Sequence, residues 1–177
     1  MDIVLLDAAH RRVGVAPKLA THHESTPLHL AFSCHIFNAE SKVLITRRAL
    51  SKKAWPGVWT NSFCGHPQPE ESFKQAIIRH ALHELGAHLT EIKVLLPDFS
   101  YRATDPQGIV ENEVCPVYTA VLTTDLTPNP GEVMDWQWAD PQDIGQSLKT
   151  TPWAFSPWFV WQAEQLDFYQ VKEPSDV

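Results

Sequence analysis

Histidine, glutamate and cysteine are the residues here best suited to hold a cation or move a proton. The chain has nine histidines. His22, His23 and His29 fall close together, His66 follows, and Glu111 and Glu113 stand two apart in a strand-like stretch. On a strand, residues two apart share a face, so these carboxylates repel unless a cation sits between them. Imidazoles combined with carboxylate oxygens suit a borderline or hard divalent ion such as Zn²⁺ or Mn²⁺. The spacing is not a local motif, however. A single histidine is more often a surface or hydrogen-bonded residue than a ligand.

Two further features bear on chemistry. The three cysteines are odd in number and lack C-x-x-C spacing, which indicates neither a disulfide framework nor a thiol-only zinc site. Cys34 and Cys115 lie in apolar runs and fit the buried spectator that is the default for cysteine. Cys64 differs, because the surrounding segment 61–67 is polar and turn-prone. Residues 41–53 hold Lys42, Arg47, Arg48, Lys52 and Lys53, five of the fourteen basic residues, with no acid among them. A local cationic patch on a chain of net charge −7 suits a small polyanion and argues against non-specific nucleic-acid binding.

These residues need a scaffold. A length of 177 residues, 44% of them hydrophobic, fits one domain with a real core, spanning 1–177 with a loose tail at 171–177. No apolar run approaches membrane-spanning length and no signal peptide is evident, so a cytoplasmic chain, a monomer without membrane or nucleic-acid partners, is expected. Alternation predicts strands at 3–6, 29–38, 42–47, 58–63, about 91–99, 113–122 and 133–138. A helix is expected to open at Pro69-Glu70-Glu71, carry Ile77, Ala81, Leu82 and Leu85 on its apolar face, and end at Gly86. A second is expected over 156–169, and a short one after Asp140-Pro141. Strands first, then one central helix and a helical tail, make an α+β chain. Trp136 and Trp138 read as core.

The most specific pattern lies around the central helix. Five residues separate Gly65 from Glu71, seven separate Glu71 from Arg79, and Glu84-x-Gly86 closes the frame. That spacing resembles the Nudix box, a loop–helix–loop that holds Mg²⁺ against a diphosphate. His80 and His83 stand where hydrolases of the superfamily carry further glutamates. Such a helix can hold one Mg²⁺ through Glu84 but is poorly equipped to activate water. Longer segments narrow the resemblance: Leu28-His29-Leu30-Ala31-Phe32, the run from Arg47 to Ser62, Cys64-Gly65-His66-Pro67, Tyr101-Arg102-Ala103, Glu111-Asn112-Glu113 and the run from Trp153 to Trp158. Together they resemble type I isopentenyl-diphosphate isomerases in one register over residues 3–165.

The resemblance implies a Nudix-like mixed β-sheet core flanked by helices, and conversion of isopentenyl to dimethylallyl diphosphate by antarafacial protonation and deprotonation. Such a reaction needs an acid on one alkene face, a base on the other, and something to stabilise a tertiary cation. It implies Glu113, assisted by Tyr101, as the acid, Cys64 as the base, and the Trp158 ring over the cation. It also implies His22, His29, His66, Glu111 and Glu113 around one Mn²⁺ or Zn²⁺, with Glu84 on Mg²⁺. Lys18, Arg48 and Lys52 would meet the diphosphate. His23 is an alternative to His22, and His80 stands where related bacterial sequences tend to place arginine. The rivals are a Nudix-type diphosphate hydrolase and a catalytically silent binding module.

Overall fold

In the computed structural model, which describes residues 1–172, the chain runs β1 (Asp2–Leu6), β2 (Arg12–Pro17), α1 (Lys18–Thr21), β3 (His29–Leu30), β4 (Phe32–Phe37) and β5 (Val43–Arg48). It continues through β6 (Trp59–Thr60), β7 (Phe63–Gly65), α2 (Phe73–Leu85), β8 (Leu89–Leu96), β9 (Ser100–Thr104) and β10 (Val110–Val114). Then come β11 (Val117–Leu122), β12 (Val133–Ala139), α3 (Pro141–Thr150) and α4 (Pro157–Glu164). One sheet has the order β2-β1-β3-β10-β9; the other is β12-β5-β4-β11-β8, with β6 on β5 and β7 on β4.

Two chain segments serve both sheets, and proline chemistry helps explain how. The expected strand 113–122 breaks at Cys115-Pro116 because Pro116 has no N–H for the ladder. The expected strand 29–38 breaks opposite it, at Ala31, whose N–H donates to the Val114 carbonyl at 2.9 Å. On either side the two segments pair in parallel, β3 with β10 and β4 with β11. Around β4 the larger sheet is buried on both faces. Phe32, Cys34 and Ile36 pack with Ala76, Ile77, Ala81 and Leu85 of α2. Val43, Ile45 and Val117 pack on the opposite side with Ile144, Leu148 and Phe159 of α3 and α4. Along β4 the apolar Phe32, Cys34 and Ile36 alternate with Ser33 and His35, and all five are buried.

The central helix starts later than expected. Ser72 is its N-cap: the Ser72 hydroxyl accepts from Gln75 N–H at 3.1 Å and Gln75 Oε1 accepts from Ser72 N–H at 2.9 Å. Such a cap contributes about 1 kcal/mol. Pro69, Glu70 and Glu71 stay in the preceding loop, and Glu71 forms a two-pronged ion pair with Arg79 at 2.7 Å. Gly86 ends the helix in the left-handed conformation, φ 57°, as its position predicts. The segment 58–63 divides into β6 and β7, and the last helix stops at Glu164, followed by a 3₁₀ turn at Asp167–Tyr169. Strands β2 and β9 were not expected: β2 lies almost entirely exposed, and β9 is five residues long with only Tyr101 and Ala103 turned inward between polar neighbours. Trp136 is 38% exposed on the edge strand β12 and is not core. Of the expected loose tail, residues 173–177 lie outside the described residues.

Candidate active site

Strand register assembles the cation cluster. His29 is the parallel partner of Glu113, and Tyr101 is its antiparallel partner on β9, so all three meet at one level of the smaller sheet. Glu111, two residues back, shares the face of Glu113. His22 follows α1, and His66 follows β7 from the larger sheet. The ring centroids of His22, His29 and His66 lie 5.0, 5.5 and 5.2 Å apart. One ligand atom from each of these rings and one from Glu113 fall within 4.8 Å of one another. His23 is not among them; its Nδ1 accepts from Ser25 N–H at 3.0 Å.

Backbone carbonyls fix two of the rings. His22 Nδ1 lies 3.1 Å from the Lys18 carbonyl and His29 Nδ1 lies 2.9 Å from that of Pro27, so each Nδ1 donates and each Nε2 is left with a lone pair facing the cluster. Those Nε2 atoms, His66 Nδ1 and Glu111 Oε2 are buried without a hydrogen bond. Buried polar atoms are normally satisfied. A set of aimed, unpaired donor atoms of this chemistry fits a divalent cation.

The two carboxylates divide their charge. Burial and the neighbouring Glu113 raise the Glu111 carboxyl. Burial also acts against ionising Glu113, but the neighbouring His29 and Glu111 side chains outweigh it and hold Glu113 low.

All the expected site residues except His29 line one cavity of about 260 Å³; His29 is fully buried behind it. Burial first, and the nearby Lys52 ammonium second, lower the Lys18 pKa, which marks cations crowded together. Arg48 is held by the carbonyls of Ala54 and Trp55, at 2.7 and 3.1 Å, with its guanidinium 5.3 Å from the Trp158 ring centre. Lys52 pairs with Glu132. Burial tends to raise Glu84, but His80 and the ammonium groups of Lys52 and Lys18 keep its pKa below the usual value. His80 itself is buried: its Nε2 accepts from His66 N–H at 3.3 Å and its Nδ1 lies 3.6 Å from Glu84 Oε1. It is thus a support between two expected ligands. His83 is exposed, 3.7 Å from Glu132.

Cys64, which lines the same cavity, is gripped from two sides. Its sulfur lies 3.1 Å from the Ser33 hydroxyl and 3.5 Å from the Asn61 side chain. Burial pushes the thiol up to about 11, against the pull of those hydrogen bonds. Asn61 Oδ1 also accepts from the Trp158 indole N–H at 3.2 Å. Trp158 is buried, with Trp55 edge-on at 5.3 Å and Tyr101 tilted at 5.8 Å. Sequence reasoning gave no role to Asn61, Ser33, Glu132 or Trp55. For Asn61 a signal existed, since Thr60-Asn61-Ser62 is a polar break between apolar runs and all three are buried.

The NUDIX domain family matches residues 27–161. The isopentenyl-diphosphate Delta-isomerase of Citrobacter koseri is 58% identical over 161 residues, covering 91% of this chain and 89% of that protein. The isopentenyl-diphosphate Delta-isomerase of Clavibacter sepedonicus is 54% identical, covering 90% and 84%. A Deinococcus radiodurans crystal structure superposes with a TM-score of 0.65 at 20% identity, covering 85% of this chain and 90% of that one, and shares the fold. So does a MutT Nudix hydrolase of Burkholderia pseudomallei, at TM-score 0.59 and 19% identity, covering 78% and 98%. The chain therefore has the α+β Nudix fold, and it belongs to the type I isopentenyl-diphosphate isomerases of the Nudix superfamily.

Proposed function

We propose that the chain converts isopentenyl diphosphate to dimethylallyl diphosphate, with Glu113 and Tyr101 on one side of the alkene and Cys64 on the other. The observation carrying this reading is one cavity that brings together a buried carboxylate pair, a thiol reached from the other sheet, and a buried indole. Glu113 delivers a proton to the terminal carbon, and Tyr101 orients that delivery. Trp158, fixed by Asn61, turns a ring toward the developing tertiary cation, a contact worth about 2 kcal/mol when desolvated. Cys64 then takes the C2 proton.

His22, His29, His66, Glu111 and Glu113 would hold Mn²⁺ or Zn²⁺, and Glu84 would hold Mg²⁺ against the diphosphate. These ions supply positive charge that tunes the carboxylates and neutralises the substrate. Lys18, Arg48 and Lys52 orient the diphosphate so that the alkene lies under Trp158. No described helix is long and apolar enough to cross a membrane. The reading is of a monomer acting in the cytoplasm on a small substrate. On α2, Glu84 is the carboxylate at the cavity, while His80 and His83 occupy positions that hydrolysis would want acidic.

The test is proton and phosphorus NMR of isopentenyl diphosphate with Mg²⁺ in D₂O. Deuterated dimethylallyl diphosphate with an intact diphosphate is the expected product. Release of phosphate or pyrophosphate without isomerisation would make the chain a hydrolase.

A further inference from the structure

Behind Cys64, away from the cavity, runs a line of polar side chains that the proposed reaction does not use. Tyr169 Oη lies 2.7 Å from His35 Nδ1, and His35 Nε2 lies 3.0 Å from Gln162 Oε1. Gln162 Nε2 lies 2.9 Å from Ser33 Oγ, and Ser33 Oγ lies 3.1 Å from Cys64 Sγ. Tyr169, His35, Gln162 and Ser33 are all at most 1% exposed. Fully burying four polar side chains is costly unless each is satisfied, and an apolar set would fill the same space at less risk.

Donor chemistry gives the line a direction. Burial lowers His35 to about 4 and raises Tyr169 well above its ordinary value, so at neutral pH the imidazole is neutral and the phenol keeps its proton. An amide oxygen only accepts, so His35 carries its single proton on Nε2 and gives it to Gln162 Oε1. Nδ1 of the neutral ring is then an acceptor, and the Tyr169 phenol donates to it. An amide nitrogen only donates, so Gln162 Nε2 donates to Ser33 Oγ. Ser33 accepts there through one lone pair and keeps its own proton to donate to sulfur. Cys64 offers the nearer sulfur at 3.1 Å; Cys115 lies at 3.3 Å.

We propose that Ser33 is a positioning residue for the reaction, its hydroxyl proton aimed at the Cys64 sulfur by the directed chain Tyr169–His35–Gln162–Ser33. This rests on the proposed role of Cys64. A cysteine side chain has one rotatable bond to its sulfur, and a proton acceptor misplaced by an ångström loses much of its rate. Ser33 on one side and Asn61 on the other hold the sulfur in place, and Asn61 ties it to Trp158. The base and the ring facing the cation are thereby set by one framework of hydrogen bonds.

The test combines a spectrum with kinetics. Nitrogen-15 NMR of wild-type protein is expected to show His35 protonated on Nε2 alone; protonation on Nδ1 would reverse the chain and overturn the proposal. Tyr169→Phe should admit the second tautomer and lower kcat about threefold. Ser33→Ala should lower kcat about tenfold with KM and bound metal unchanged, while Cys115→Ala stays within about twofold of wild type. Wild-type kcat in Ser33→Ala, or a rise in KM matching the fall in kcat, would also overturn it. Should Ser33→Ala fail to fold, the tautomer and Tyr169→Phe still decide. A wild-type protein that gives no isomerisation would strike the functional reading instead, and the tautomer measurement would be unaffected.

Discussion

Two buried polar clusters flank Cys64, and they are built on opposite rules. Around His22, His29, His66 and Glu111, ring nitrogens and a carboxylate oxygen are buried without a hydrogen bond, His22 Nε2 only 3.2 Å from Glu111 Oε2. Along Tyr169, His35, Gln162 and Ser33, each donor meets an acceptor at 2.7–3.0 Å. An unpaired cluster stores a demand for positive charge, whereas a satisfied one fixes geometry. Both contain histidines in full burial, so residue type alone does not separate them; the state of the second ring nitrogen does.

The largest effect should come where the clusters meet. Cys64→Ala should lower kcat by about a thousandfold or more while the calorimetric affinity for isopentenyl diphosphate stays near wild type. A comparable loss of affinity would make the thiol a packing residue and erase the contrast between the clusters.

Acid should sharpen the contrast from the satisfied side. His35 has its folded pKa depressed to about 4 from an ordinary 6.5, so protons prefer the unfolded chain. Its contribution is present above about pH 6.5 and is lost as pH falls towards 4, up to about 3 kcal/mol over that window. Urea unfolding of the metal-free protein at pH 7 and 4.5 reads this slope, and His35→Gln should flatten it.

From the unsatisfied side, Mn²⁺ or Zn²⁺ at about 100 times its Kd should add about 2.7 kcal/mol to stability, and a chelator should remove it. His29→Ala should abolish that gain; if it survives, the cation sits elsewhere. The smallest change belongs to Glu84, outside both clusters. Glu84→Gln should raise KM about tenfold and shift the Mg²⁺ requirement upward, with kcat little altered. Unchanged KM and Mg²⁺ dependence would remove Glu84 from the diphosphate site.

The two clusters were unequally legible in the sequence. Glu111 and Glu113 announce a shared face by their spacing, and the Gly65–Gly86 frame announces the central helix. The satisfied line has no local signature. His35 and Tyr169 are 134 residues apart, and His35 sits inside an apolar run where one polar residue carries no instruction about its partner. The fold divides in the same way. Strands with apolar character were readable. The sheet changes at Ala31 and Pro116 and the exposed β2 depend on tertiary pairing that periodicity does not encode, and β9 offers only two inward residues, Tyr101 and Ala103, as a signal. The N-terminus of α2 was misplaced for a physical reason: Glu71 is drawn off to Arg79, leaving Ser72 to cap.

The smaller sheet supplies His29, Glu111 and Glu113, while His66 leaves the larger one. A cation held among them is therefore a rivet through two layers that also share a core around Ala103 and Val117 and connect where β3 runs into β4 and β10 into β11. Loading should then slow amide hydrogen exchange in β3 and β7 together, although they belong to different sheets and do not pair. On this view the cluster proposed to hold the cation also sets how tightly the halves of the molecule close.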